Sequence, residues 1–251
     1  MSDTATDPTT PAESSSPPLT ADRAGSPLGH ARAFVGWIDQ RCHADPGVRS
    51  ALRRGVGRPL DDVPFMHRYV VNWLTADHLR SPDIQRAYYT VASLIANQRR
   101  DQYAAAKQKP PVGEADTPSN EQESSTATPQ RRYGTSLGTA FAAAVDKGTD
   151  GIRESSAETR LNLLTRQSVN GLHRHLPGAV RQLRDKNVEV DWAQLLVDLT
   201  RWHRHSGSIK RRWLQDYYRA RNAAENEHAR RQDDANPPAP PAPAAEDTAE
   251  N

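Results

Sequence analysis

Apolar residues recur at helical spacing along most of this chain, and no alternating β-branched run competes with them. Phe34, Trp37, Ile38 and Cys42 form one stripe and predict a first helix. Asp45-Pro46 supplies an N-cap and a first-turn proline for a short second helix. Residues 63–74 predict a third, with Phe65, Tyr69, Val70, Trp73 and Leu74 inward. Ser81-Pro82-Asp83 opens a fourth, striped by Ile84, Ala87, Tyr88, Val91 and Ile95. The pattern resumes with Leu137, Ala140, Phe141, Ala144 and Val145. Ser155-x-x-Glu158 predicts a capping box ahead of Leu161 and Leu164. Residues 169–186 carry Leu172, Leu176, Val180 and Leu183, with Pro177 marking a kink or a true start. Asp191 predicts the N-cap of a helix that turns Trp192, Leu195, Leu196, Leu199 and Trp202 inward. Gly207-Ser208 predicts its end, and Ile209, Trp213, Tyr217 and Ala220 form the last stripe.

Three segments lack any apolar stripe. Residues 1–28 are rich in Ser, Thr, Pro and Ala, 110–130 is an acidic Pro/Ser/Thr stretch, and 224–251 ends in a Pro/Ala run. Such compositions bury too little apolar surface to offset chain entropy. The expected class is therefore all-α: two small helical bundles joined by a linker, with disordered termini. The expected boundaries are a tail at 1–28, a bundle at 29–109, a linker at 110–130, a bundle at 131–223 and a tail at 224–251.

Charge follows the same division. The whole chain carries a formal +2. The three stripe-free segments carry −3, −4 and −5, so the remainder holds +2 − (−12) = +14, from 30 Lys/Arg against 16 Asp/Glu. Folding segments this basic point to a polyanionic partner. A single cysteine, Cys42, excludes an intramolecular disulfide and a cysteine metal cluster. The chain has no run of eighteen apolar residues and no signal-peptide layout, so the expectation is a soluble, cytoplasmic protein without a membrane partner.

Candidate catalytic groups are sparse. His173-Arg174-His175 and His203-Arg204-His205 invite a metal reading, but residues two apart on a helix point roughly 200° from each other. Metal pairs need spacings of three or four, so surface or polyanion contact is the better reading. Asp61-Asp62 precedes a helix, where capping is the ordinary role. Asp191 and Asp198 share a face, and a nuclease site would need more carboxylates converging on them. Gly55-Val56-Gly57 lacks the Lys-Ser/Thr ending of a phosphate loop and reads as a helix terminator. No catalytic residues, cofactor or metal are expected. A metal-dependent nuclease and a helical adaptor for acidic proteins are the alternatives.

The basic residues carry the information. Arg174, Arg181 and Arg184 project opposite the leucine stripe of 169–186. Lys210, Arg211, Arg212 and Arg219 lie on the last helix, and Arg53, Arg54 and Arg58 cluster at the end of the short second one. Arg99, Arg100 and Lys107 lead into the linker, and Arg131 and Arg132 leave it. Positive side chains on rigid helices opposite a core suit contact with backbone phosphates. No helix-turn-helix or zinc-finger signature accompanies them, so sequence-independent contact is expected. Most aromatics lie on apolar stripes; Tyr103, Tyr133 and Tyr218 fit the stripes less well and are candidates for base stacking.

Several of these motifs occur together in one family. Asp61-Asp62-Val63-Pro64-Phe65-Met66-His67-Arg68-Tyr69-Val70 resembles the first-half helix of the CasB family, the small subunit of the type I-E CRISPR surveillance complex, Cascade. Ser136-Leu137-Gly138 is similar to that family's Ser-Leu-Gly element. So are Arg160-Leu161 with Leu164, Val180-Arg181-Gln182-Leu183-Arg184, and Val190-Asp191-Trp192 followed by Leu195, Leu196, Leu199 and Trp202. The resemblance spans about residues 31–105 and 131–222. It implies two helical bundles, no catalysis, and a second copy of the subunit alongside the first. It also implies contact with the backbone and large subunits, with guide RNA, and with the displaced single-stranded DNA of an R-loop. Thr139 stands where related proteins often have Arg, and the acidic linker and tails are long for the family.

Overall fold

The computed structural model describes residues 26–98, 134–147 and 150–235. Every regular element among the described residues is helical, as the apolar spacing predicts. The chain divides into two compact units that are not consecutive in sequence. The first takes its described residues from 26–134 together with Asp191–Arg204; the second takes Thr135–Val190 and the described residues from His205 onward. The helix opened by Asp191 thus belongs with the first unit, although the sequence reading groups it with 131–223.

In the first unit, helix α1 (Pro27–Ala44) is capped by Ser26, which accepts from the Gly29 amide at 3.1 Å. Helix α2 (Pro46–Arg53) is capped as predicted: Asp45 accepts from the amides of Gly47 and Val48 at 2.7 and 3.3 Å. The expected helix over 63–74 is broken into pieces. A 3-10 turn at Pro64–Met66 leads into one α-turn, α3 (His67–Val70), and then a second 3-10 turn at Val71–Trp73. Pro64 sits in the first turn, where its missing N–H costs no ladder bond, so it does not account for the break; the short turns still bury Met66, Tyr69 and Val70. After α4 (Ala76–Leu79), Ser81 caps α5 (Pro82–Ala96) through the Ile84 amide.

Helices α1, α2 and α5 pack on one another. Phe34, Ile38, Leu52, Val91 and Ile95 are buried between them, and burying each such side chain is worth about 1.5–3 kcal/mol. Phe34 meets Tyr88 and Trp73 edge-on at 4.9 and 5.8 Å. Arg49 donates to the carbonyls of Ala96 and Gln98, placing a cation at the negative end of α5.

In the second unit, α6 (Leu137–Val145) is capped by Ser136 through the Thr139 amide at 3.3 Å. Helix α7 (Glu154–Thr165) begins earlier than the predicted capping box requires. Ser155 lies inside the helix, and its carbonyl accepts from the Thr159 hydroxyl at 2.7 Å. Helix α8 (Val169–Asp185) starts at a Ser168 cap and carries Pro177 in its interior. Helices α6, α7 and α8 pack mutually around Phe141, Leu161, Leu164, Leu172, Leu176 and Leu183.

The last element, α9 (Trp192–Ala235), is interrupted at His205, whose φ of −126° and ψ of 24° are not helical. Gly207 and Ser208, the predicted break, are themselves helical. The Ser208 hydroxyl donates to the His205 carbonyl at 2.9 Å and so occupies an acceptor at the interruption. Helix then continues to Ala235, beyond Ala223 where the sequence reading ends the folded segment. Residues 1–25, 99–133 and 236–251, which hold most of the expected tails and the whole linker, lie outside the described residues.

Candidate nucleic-acid interface

On α8 the leucine stripe and its opposite face separate cleanly. Leu172, Leu176 and Leu183 are fully buried. Arg174 and Arg181 are exposed and seven residues apart, two turns along one face. Arg184 differs from them. Its side chain is 19% exposed and pairs with Asp185 at 3.5 Å, so it is less available than its position on the stripe suggests. His173, read from sequence as a surface group, is 3% exposed and part of the core. It follows Leu172 directly, on the edge of the buried face.

On the second half of α9, Arg211 and Arg219 are exposed. Lys210 and Arg212 are half-buried, flanking the buried Ile209 and Trp213. In the first unit, Arg53, Arg54 and Arg58 are all exposed around one tight turn. That turn is held by Gly55 N–H to Leu52 O (3.0 Å), Val56 N–H to Arg53 O (3.3 Å) and Arg58 N–H to Gly55 O (3.1 Å). Gly57 sits at φ +73°, a conformation that favours glycine, so the segment terminates the helix as predicted. The Arg54 guanidinium lies 5.0 Å over the Phe65 ring, which orients it without occupying its N–H groups. Arg99, Arg100, Lys107, Arg131 and Arg132, with Tyr103 and Tyr133, lie outside the described residues.

Among the acidic and histidine candidates, Asp191, Asp198 and His173 have structural roles, whereas His203 and His205 are exposed and Asp61 and Asp62 do not cap the turn that follows them. Asp61 and Asp62 are exposed in a 3-10 turn, Leu60–Asp62. Asp191 caps its helix through the Gln194 amide at 2.9 Å. Asp198 is 2% exposed rather than paired at the surface. Gln194 donates to it at 2.7 Å and accepts from the Gly134 amide at 2.7 Å, tying the residues before α6 to this helix. Among the described residues, no group of three or more His, Cys, Asp or Glu is placed to hold a metal ion. Burial, then the charge of Asp39, push the Cys42 thiol up to about 12, leaving it far from a thiolate nucleophile.

Two arginines that sequence reasoning passed over are structural. Arg49 anchors the end of α5, as described above. Arg221 binds Asp146, Glu154 (3.1 Å) and Glu225 (3.3 Å). Burial works against its charge, but the Glu154 hydrogen bond and the surrounding carboxylates prevail and raise its pKa. Only its spacing of four from Glu225 was visible in the sequence. Tyr218 is 44% exposed, but its hydroxyl donates to Glu158 and its neighbours are carboxylates, a setting that repels phosphate. No helix among the described residues is long and apolar enough to cross a membrane.

Comparison with known proteins agrees with this architecture. The family model described as CRISPR-associated protein Cse2 matches residues 48–218. A chain in a solved "CRISPR RNA-guided surveillance complex" is 32% identical, with a TM-score of 0.63 over 81% of this chain and 99% of that chain. A chain of a "CRISPR RNA-guided surveillance complex, pre-nicking" is 33% identical, with a TM-score of 0.64 over the same shares. The "Crystal structure of M. ruber CasB" is 22% identical, with a TM-score of 0.57 over 80% of this chain and 98% of that chain, and it shares the fold. None of the curated proteins compared matches. Helical units, outward arginines and a family match over most of the chain converge: this chain belongs to the Cse2, or CasB, family, the small subunit of the type I-E CRISPR Cascade complex.

Proposed function

We propose that this chain is a non-catalytic subunit that contacts guide RNA and target DNA within Cascade, and that it stabilises the R-loop by holding the displaced single strand. The observation that carries this reading is the pair Arg174 and Arg181, exposed on a helix whose other face is core. Rigid cations of this kind meet backbone phosphates whatever the base sequence, which a displaced strand of arbitrary sequence demands. Replacing a DNA duplex with an RNA–DNA duplex is nearly balanced in free energy, so a few backbone contacts decide whether the loop stays open. Arg211 and Arg219 in the same unit, and separately Arg53, Arg54 and Arg58 in the first unit, are further exposed cations available for such contacts. The backbone subunit, the large subunit and a second copy of this chain are its protein partners, and it works in the cytoplasm.

The test is assembly followed by footprinting. The chain should co-purify with the guide-RNA complex, and permanganate should report an open displaced strand on a matched target. An Arg174→Glu/Arg181→Glu chain should still assemble but leave the displaced strand shorter-lived. Unchanged R-loop lifetime with that variant in place would remove the proposal.

A further inference from the structure

One face of the second unit has the opposite chemistry to the surfaces described so far. Arg221 sits at its centre with one carboxylate at each of its three nitrogens: Asp146 at the end of α6, Glu154 in the first turn of α7, and Glu225 one turn further along α9. Glu158, one turn beyond Glu154, accepts from the Tyr218 hydroxyl. Three carboxylates therefore surround one guanidinium, and a fourth, Glu158, stands beside Tyr218. Lys147, next in sequence to Asp146, is engaged elsewhere, donating to the Asn187 carbonyl at 2.7 Å. The carboxylates stay accessible: the side chains of Asp146, Glu154 and Glu225 are 37%, 47% and 60% exposed.

Two tyrosines give this face a shape as well as a charge. Tyr218 is one of the few large apolar side chains exposed among the described residues. It stands edge-on against Tyr217, with ring centroids 5.2 Å apart. Tyr217 is fully buried, and its hydroxyl has no hydrogen-bond partner. Burial, then the charges of Glu154 and Glu158, raise its pKa, with Arg221 opposing, so the hydroxyl lies within reach of the cluster's charges. A merely solvated acidic surface has no use for a buried, unpaired phenol.

We infer that this face, built from Tyr218, Glu158, Glu154 and Glu225 around Arg221, is a docking site for an arginine-bearing segment of a protein partner. An incoming guanidinium can stack on the exposed Tyr218 ring while its N–H fork meets Glu158, a combination a lysine ammonium cannot reproduce. Nucleic acid is repelled by the same carboxylates. The face would direct this side of the subunit toward protein, leaving the arginines of α8 for phosphate.

The test uses the full chain and a fluorescent nona-arginine peptide, with nona-lysine and a single-stranded DNA oligomer as controls. Tyr218→Ala and Glu158→Gln should each weaken nona-arginine binding about tenfold, with single-stranded DNA affinity and the thermal midpoint unchanged. Nona-lysine should bind the wild-type chain more weakly than nona-arginine. Tyr218→Phe, which keeps the ring, should retain most of the peptide affinity and serves if the alanine variant unfolds. Equal peptide affinity in wild type and Glu158→Gln would assign the attraction to diffuse acidity and overturn the inference. So would equal binding of the two peptides, or a loss of DNA affinity in parallel with that for peptide.

Discussion

The backbone carbonyl of Trp213 occupies the place where a side chain on Gly138 would begin: a Cβ there would lie 1.8 Å from the Trp213 oxygen and 2.7 Å from its carbonyl carbon. Helix α6 and the second half of α9 thus touch backbone to backbone, with Leu137 and Phe141 buried on either side of the contact. The Ser-Leu-Gly element acquires a physical meaning from this. Ser136 caps the helix, Leu137 fills the core, and Gly138 allows the approach. No part of the motif needs to reach a ligand.

Gly138→Ala sets two effects against each other. Alanine favours a helix over glycine by about 1 kcal/mol. The clash is with backbone, which cannot rotate away, and overpacking of this kind costs about 1–3 kcal/mol or more. The clash should prevail. Urea unfolding of Gly138→Ala should show a lower midpoint at unchanged slope, with a net loss of about 1–2 kcal/mol. A stabilised variant would mean the two helices separate without cost.

The Arg174→Glu/Arg181→Glu variant should lose affinity for single-stranded DNA and also lose salt sensitivity. Each phosphate contact on a single strand contributes about 0.7 to the slope of log K against log salt, so removing two lowers it by roughly 1.4. Far-ultraviolet circular dichroism should be unchanged, because both side chains point away from the core. Arg184→Glu is a different experiment. Its partly buried position beside Asp185 predicts a stability cost mixed with any loss of binding.

How far the sequence revealed this molecule depended on whether a feature was local. The caps at Asp45, Ser81 and Asp191 were legible because a side-chain oxygen reaches an amide two or three residues on. The buried stripe of α8 was legible because helical period is a local property. The fate of 63–74 was not, since apolar spacing does not distinguish a helix from consecutive 3-10 turns that bury the same residues. The interruption at His205 was assigned to Gly207-Ser208, because glycine is a weak helix former in isolation. Of the candidate contacts, Arg174 and Arg181 could be placed from spacing alone. The burial of His173 and the internal engagement of Arg221 depend on neighbours distant in sequence, which one-dimensional spacing does not report.

Stability should fall with acid in the first unit. His78 accepts from the Thr75 amide through Nδ1 at 3.4 Å, completing the capping box of α4. Burial, then the nearby His30, lower its pKa, with Asp77 opposing. Its ring lies 6.0 Å from that of His30 on α1 and 5.3 Å from that of Tyr88 on α5. A proton on Nδ1 ends its role as acceptor and adds charge to a partly buried ring beside His30. Because the folded pKa lies below the unfolded 6.5, the folded state binds fewer protons. Stability is therefore full above pH 6.5 and declines as pH falls through the folded value. A His78→Gln chain should show a shallower loss of thermal midpoint between pH 7 and pH 5 than wild type. An identical pH slope would show that His78 contributes nothing to it.

Asp198 separates a structural acid from a catalytic one. It is buried and receives a hydrogen bond from Gln194, whose carbonyl oxygen holds the Gly134 amide. Asp198→Ala removes one acceptor and leaves the Gln194 amide buried without it, a loss worth about 1–3 kcal/mol. The expected outcome is a lower unfolding midpoint, with single-stranded DNA affinity unchanged at temperatures where the variant is folded. A nuclease would behave otherwise. Its divalent-metal-dependent cleavage would disappear in Asp198→Ala while stability stayed near wild type, because a carboxylate waiting for metal is exposed to solvent and costs little to remove. The 2% exposure of Asp198 argues for the first result. A calorimetric scan paired with a cleavage assay on the same preparation decides between the two.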